Sequence, residues 1–204
     1  MGPYHKIRSG IKILRHKITG NGIPLVVAWS LTDRCNLRCR YCKVWRRKTT
    51  ELSADDIKRA LSDAKKSGTE RVGFTGGEPL MREDIAEIIE MSSSLSLHTS
   101  ISTNGTMLRN RLDDILSADE IVVSIDGDKG TNDSLRGNGS FEKAMNGITA
   151  ALESGMKVTT STVLTSKNLS SIRDIAELSI KHGFSCSFQP IRTHPFSGDV
   201  SSMI

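Results

Sequence analysis

Aromatic residues are scarce in this 204-residue sequence: two Trp, two Tyr and five Phe, 4% in all. Nucleic-acid surfaces commonly interleave basic residues with aromatic platforms, so that scarcity makes a nucleic-acid partner unlikely. Long apolar runs are missing too; none approaches the roughly 18 residues that span a bilayer. The opening MGPYHKIRSGIKILRHK is basic but lacks the apolar core of a secretory signal. Lys6 also stands where an N-myristoylation pattern wants Ser or Thr. A cytoplasmic location is therefore expected. Cysteine is limited to four residues, and in a reducing compartment these favour metal or catalytic work over disulfides. Acids are nearly absent from the first 50 positions, where 12 Lys and Arg face the single Asp33. The remaining chain holds 16 basic against 22 acidic residues. Such a block suits an anionic ligand near its cysteines or a partner touching the N-terminal segment, or it is a solvated basic face.

What is present is a steady alternation of elements. The β-rich run 24–31 leads into DRCNLRCRYCKVW, and further strands are expected at 70–74, 97–102, 120–126, 157–164 and 184–191. Between them, helical patterns cover 53–68, 82–93, 111–117, 140–155 and 169–183. Ser53 is placed to cap the first helix, and Gly68, Gly155 and Gly183 stop three of them. Strand-helix repetition of this kind predicts a parallel sheet with right-handed crossovers. A doubly wound nucleotide-binding sheet would carry a glycine-rich fingerprint after its first strand, where this chain has cysteines. The expected fold is thus α/β, a partial (β/α)6 barrel of TIM-like type, open on one side.

The unusual residues fall together. CNLRCRYC, GGEP (76–79), TNG (103–105), DG (126–127), SKN (166–168) and QP (189–190) all stand at carboxyl ends of strands. In parallel α/β folds that edge builds the active site. The core is expected over 24–191. Residues 1–23 form a basic extension with Ile7, Ile11, Leu14 and Ile18 on one helical face, either capping the barrel or lying on a lipid surface. Residues 192–204 read as the start of a C-terminal region, and the abrupt SSMI ending suits the core of a longer protein.

Cys35, Cys39 and Cys42 are an odd number for disulfides and one short of a closed zinc site. Three thiolates from one loop hold three corners of a cubane iron–sulfur cluster and leave one iron open for another ligand. A zinc loop borrowing His98 or His194 is the competing reading. Cys186 alternates with Phe184 and Phe188 and is expected to face the helices as a core residue.

The Cys-x3-Cys-x2-Cys spacing with Tyr41 before the last cysteine, GGEP after the second strand, and SIDG at the fourth resemble the radical S-adenosylmethionine (SAM) superfamily. The likeness covers nearly all of 24–191 and is nearest to the branch of peptide maturases and cofactor-synthesis enzymes. It implies a [4Fe-4S] cluster ligated by Cys35, Cys39 and Cys42, with SAM chelating the open iron. It further implies that Gly76, Gly77, Glu78 and Pro79 meet the SAM amino group, and that Arg136 pairs with its carboxylate. Ser102, Asn104, Ser124 and Asp126 suit the ribose. Tyr41 and Gln189 stand in adenine-side positions, with Asn168 a further candidate because the glycine-rich strand-5 motif of many relatives is absent.

By the same resemblance, a radical derived from SAM abstracts hydrogen from a substrate that the sequence leaves open as peptide, small molecule or lipid. A low-potential electron donor, flavodoxin or ferredoxin, is implied, and its acidic charge would suit Arg38, Arg40, Lys43, Arg46, Arg47 and Lys48. The alternative class is a non-catalytic iron–sulfur or zinc module that binds nucleic acid or a protein partner.

Overall fold

A computed structural model describes residues 22–191. The expected features at 1–23 therefore lie almost wholly outside the described residues, and those at 192–204 lie outside them entirely. Among the described residues six strands run β1 Val26–Thr32, β2 Arg71–Gly76, β3 His98–Thr103, β4 Glu120–Ser124, β5 Val158–Leu164 and β6 Ser185–Pro190. They form one parallel sheet in the order β1-β2-β3-β4-β5-β6. The two outer strands do not pair with each other, so the sheet is open. Among the described residues no helix is long and apolar enough to cross a membrane.

Five α-helices lie in the crossovers: α1 Ala54–Lys66, α2 Ile85–Ser94, α3 Lys129–Arg136, α4 Ser140–Glu153 and α5 Ser171–His182. Strand side chains alternate between two environments, as the pleat requires. Val72, Phe74, Ile101, Ile121 and Val123 are fully or almost fully buried against the helix layer. There they meet Ile57 and Leu61 of α1, Ile85, Ile88 and Ile89 of α2, and Ile148 of α4. The intervening residues include Gly73, Ser100, Ser102, Ser124, Thr159 and Ser161, small and only half-buried. Apolar area thus drives the sheet onto the helices, at roughly 25 cal/mol per Å². The opposite face stays polar and open. Cys186 and Phe188 pack against the helix-side core, as their alternation predicts.

Two expectations need correction. The helix expected at 111–117 is instead two single 3-10 turns, Leu108–Asn110 and Asp113–Ile115. Leu108, Leu112 and Ile115 are buried there, so the apolar spacing was real but too short to propagate an α-helix. Conversely, α3 escaped notice because its stretch KGTNDSLR has only Leu135 as an apolar anchor. Its start is set by Asp128, whose carboxylate accepts from Thr131 N at 2.7 Å.

Candidate functional site

Strand β1 delivers the chain to the cysteine loop at the sheet's carboxyl edge. The base of that loop is held by the turn after β2. Gly77 N donates to Thr32 O and Glu78 N to Arg34 O, each at 2.7 Å. Such an approach requires residues without side chains. A Cβ at Gly76 or Gly77 would fall under 3.0 Å from backbone atoms of Thr32 or of Asp33 and Arg34. Gly76 also holds φ at +133°. The glycines therefore let one loop's backbone lie on another's.

A second restraint crosses the outer side. Glu51 accepts from Arg34 Nε at 2.8 Å and Nη2 at 3.1 Å, and from the Thr32 hydroxyl. Its hydrogen bond with Arg34, reinforced by Thr32 and Arg82, holds the carboxyl below its ordinary value against the opposing effect of burial. Buried Arg82 donates to Leu31 O and Leu52 O, both at 3.0 Å, and pairs with Asp84 Oδ2 at 2.6 Å. The segment 47–52 is thereby strapped across the root of the cysteine loop.

Inside these restraints is a cavity of about 180 Å³. Cys35, Cys39 and Cys42 line one wall with Tyr41; Gly76, Gly77, Ser102, Asn104, Ser124 and Arg136 contribute to the rest. Ten of the fourteen sequence-predicted site residues thus share one space. Leu37, Val44, Trp45, Thr75, Thr103 and Val163 also line it and were not anticipated. Trp45 carried a signal, as one of two tryptophans and three residues beyond Cys42. Its indole Nε1 donates to Cys42 O at 3.1 Å. Arg38 and Arg46 stand 4.4 and 4.9 Å from its ring centroid.

Four predicted residues do not line the cavity. Glu78 is fully buried behind it. Its Oε1 accepts from Leu80 N at 3.1 Å and the Thr103 hydroxyl at 2.8 Å, and its Oε2 from Asn104 N at 2.7 Å. Burial pushes its pKa up, against the pull of those three donors. Pro79 opens the short turn after it and is buried as well. Asp126 is also fully buried: Oδ1 accepts from Val163 N at 3.0 Å, and Oδ2 from the Tyr41 hydroxyl at 2.5 Å. Arg136 Nε approaches the same Oδ2 at 2.7 Å. Asp126 is therefore placed to orient Tyr41 and Arg136 rather than to meet a ligand directly. Gln189 is exposed on β6, its amide donating to Ser161 Oγ at 2.9 Å. Asn168 is likewise buried outside the cavity, donating to Asp126 O and Val163 O.

Electrostatics follow from this burial. Desolvation pushes the Cys39 thiol up to about 11, with Arg136 opposing. It also raises Cys35, against hydrogen bonds from Leu37 N–H and the Asn104 amide. Burial keeps Tyr41 protonated well above its ordinary value, so it serves Asp126 as a donor. Arg136 remains charged against the effect of burial, with the Asp126 carboxylate 2.7 Å from its Nε and the Tyr41 ring near its guanidinium. Its guanidinium is a buried cation on the cavity wall, 5.7 Å from the Tyr41 ring centroid.

This donor set has a definite chemistry. Three thiols face one cavity, and the other lining residues offer amide, hydroxyl and guanidinium groups but no fourth thiol or imidazole. Among the described residues no three His, Cys, Asp or Glu groups are drawn together as around a single metal ion. A sulfide-bridged cluster takes each thiolate at a different iron, so these residues fit three corners of a cubane and leave a fourth for an outside ligand.

Comparison with known proteins gives concordant results. Residues 29–179 match the sequence profile of the Radical SAM superfamily. The chain is 33% identical over 160 residues to Fe-coproporphyrin III synthase of Methanosarcina barkeri, covering 75% of this chain and 40% of that protein. It is 33% identical over 167 residues to the PqqA peptide cyclase of Rhodopseudomonas palustris, covering 78% and 44%. The chain thus spans less than half the length of these relatives. SuiB of Streptococcus suis, solved bound to S-adenosylmethionine, superposes with a TM-score of 0.79 at 22% identity, covering 96% of this chain and 48% of SuiB. The open six-stranded sheet is accordingly a TIM-like partial barrel.

Proposed function

The chain belongs to the radical SAM superfamily, enzymes that use a [4Fe-4S] cluster and S-adenosylmethionine, and we propose that the cavity behind Cys35, Cys39 and Cys42 is where both are held. When bound between these residues, the cluster would supply one-electron reduction of SAM, and SAM would supply the radical chemistry that takes hydrogen from a substrate. The chain's own groups position and enclose that chemistry. Cys35, Cys39 and Cys42 are the thiolate ligands, on a loop fixed by backbone bonds to the Gly76–Gly77 turn. That turn, on the cavity wall, receives the SAM amino group, while Glu78 behind it holds the turn and Asn104 in register. Arg136 offers its charge to the SAM carboxylate, a group its planar fork suits. Ser102 and Ser124 present hydroxyls for the ribose. Tyr41, Trp45 and Val163 supply apolar wall that limits water.

One observation carries this reading: the three thiols of one loop open into a single cavity that also holds Gly76, Gly77, Ser102, Ser124 and Arg136. A zinc or structural iron–sulfur module gives no reason for that second half of the wall. The test is anaerobic. Protein reconstituted with iron and sulfide receives dithionite and SAM, and 5′-deoxyadenosine is read by mass spectrometry. Formation above a Cys39→Ala control is expected. A fully loaded cluster that binds no SAM and yields none of the nucleoside would sink the proposal.

The electron arrives from an acidic low-potential protein of flavodoxin or ferredoxin type. Arg38, Arg40, Arg46 and Lys48 are exposed around the cysteine loop, with Lys43 half-exposed among them. Arg47 sits 3.5 Å from Asp33 and is partly neutralised. The substrate belongs with those of the named relatives, a peptide or a cofactor precursor. Reduced thiols on a ligand loop suit the cytoplasm.

A further inference from the structure

We infer that the Asn104 carboxamide tunes the cluster: it donates a hydrogen bond to the Cys35 sulfur and raises the potential at which the cluster accepts its electron. The inference rests on the cluster assignment above and goes beyond it, since it gives Asn104 a redox task in place of ribose binding. Asn104 Nδ2 lies 3.9 Å from Cys35 Sγ, within the longer reach of sulfur as an acceptor. The amide is held from turning round. Its Oδ1 accepts from Thr106 N at 2.9 Å and from the Thr106 hydroxyl at 2.6 Å, which keeps oxygen away from the thiol. The other interaction of Nδ2 is with Asn36 Oδ1 at 2.8 Å, and Asn36 Nδ2 donates to Thr106 Oγ1 at 2.8 Å. Asn36, Thr106 and Asn104 thus form a closed ring that leaves one amide hydrogen for sulfur. The backbone is fixed as well, by Asn104 N donating to buried Glu78.

The physical consequence has a sign. Reduction adds negative charge to a cluster and its thiolates, and a donor to sulfur stabilises that form more than the oxidised one. The amide does so without adding a charge of its own. It acts on the sulfur of a ligand and not on substrate, so Asn104 is a positioning and tuning residue, comparable to outer-shell groups at other metal sites.

Redox titration of the reconstituted enzyme without SAM tests this, with the reduced cluster read by EPR and loading checked by iron and sulfide analysis. Asn104→Ala is expected to load fully. At a fixed applied potential its ratio of reduced to oxidised cluster should fall about tenfold, equivalent to about 59 mV for a one-electron couple. Asn104→Asp keeps the shape and the Thr106 bonds but replaces the donor with a charged acceptor, so its ratio should fall further. Loaded variants that titrate with the wild type would overturn the inference, because a merely structural role changes loading and not potential. Should Asn104→Ala refuse the cluster, Asn104→Asp decides. Should both refuse it, Thr106→Ala, which removes the hydroxyl bond to the amide oxygen and opens the ring while leaving Asn104 in place, must lower the ratio or the inference fails. Wild-type protein that takes up no iron would remove the cluster assignment itself, and the inference with it.

Discussion

Glu78 and Asp126 are carboxylates without access to water, and each organises backbone and side chains instead of facing the cavity. Glu78 has three donors to satisfy it. Glu78→Gln keeps the volume but sets an amide N–H against either Asn104 N–H or Leu80 N–H. Relief from burying charge is smaller than that loss, because the site is built for an acceptor on both sides. Chemical denaturation is expected to show a loss of about 2 kcal/mol, within the range for an unsatisfied buried donor. Replacing any one of Cys35, Cys39 or Cys42 with Ala acts differently. It should leave the fold intact and abolish stable four-iron loading, as iron and sulfide analysis would show; a fully loaded variant would free that cysteine from its assignment. Both carboxylates stood out in the sequence, yet their work did not. Motif spacing places a residue at a strand end, whereas the direction of its side chain depends on neighbours from 103–104, 41 and 163 that no local pattern joins to it.

At the level of elements, the site depends on two loops packed backbone to backbone. Gly77→Ala would drive a methyl group into the Asp33 and Arg34 carbonyl region. It should displace the cysteine loop, so that iron loading falls several-fold while far-ultraviolet circular dichroism stays close to wild type. Retained loading would mean that the turn has room to shift. The outer strap has a pH signature. The Glu51 carboxyl lies below its ordinary value of 4.5, chiefly through Arg34. Its folded value is thus depressed, so its contribution to stability is present above about 4.5 and is lost as pH falls through the lower folded value. Glu51→Gln should melt at a lower temperature than wild type at pH 7, with the two curves converging on acidification; parallel curves would exclude the strap as their source. Apolar periodicity, of period 2 in the strands and 3.6 in the helices, made the six strands and four of the helices legible. Helix α3 was hidden because its side chains are polar and its position is secured by Asp128 and by Arg40 N donating to Leu135 O. That last bond joins positions far apart in sequence.

At the scale of the whole molecule, the cysteine-loop end of the sheet carries a basic rim. Exposed Arg38, Arg40, Arg46 and Lys48 collect around the cysteine loop, and an acidic donor would meet them first. Electron delivery from flavodoxin should therefore slow as salt rises. Arg38→Glu with Arg46→Glu should slow it about tenfold at low salt, while dithionite reduces the variant as it does wild type. Equal slowing with dithionite would place the defect in the cluster instead. The asymmetry of the first 50 residues announced this patch, although it did not show that Arg38 and Arg46 bracket Trp45.

The order β1 to β6 follows the order of the chain, and the cavity wall runs from Cys35 on the first loop to Val163 on the fifth strand. Protein synthesis is directional, so the three thiols leave the ribosome well before the strand that completes their enclosure. During that interval they face solvent as ordinary thiols, open to oxidation and to stray metal. If these thiols hold the cluster as proposed, its insertion waits for β5, and a nascent chain released earlier would carry the three cysteines without the wall that encloses them.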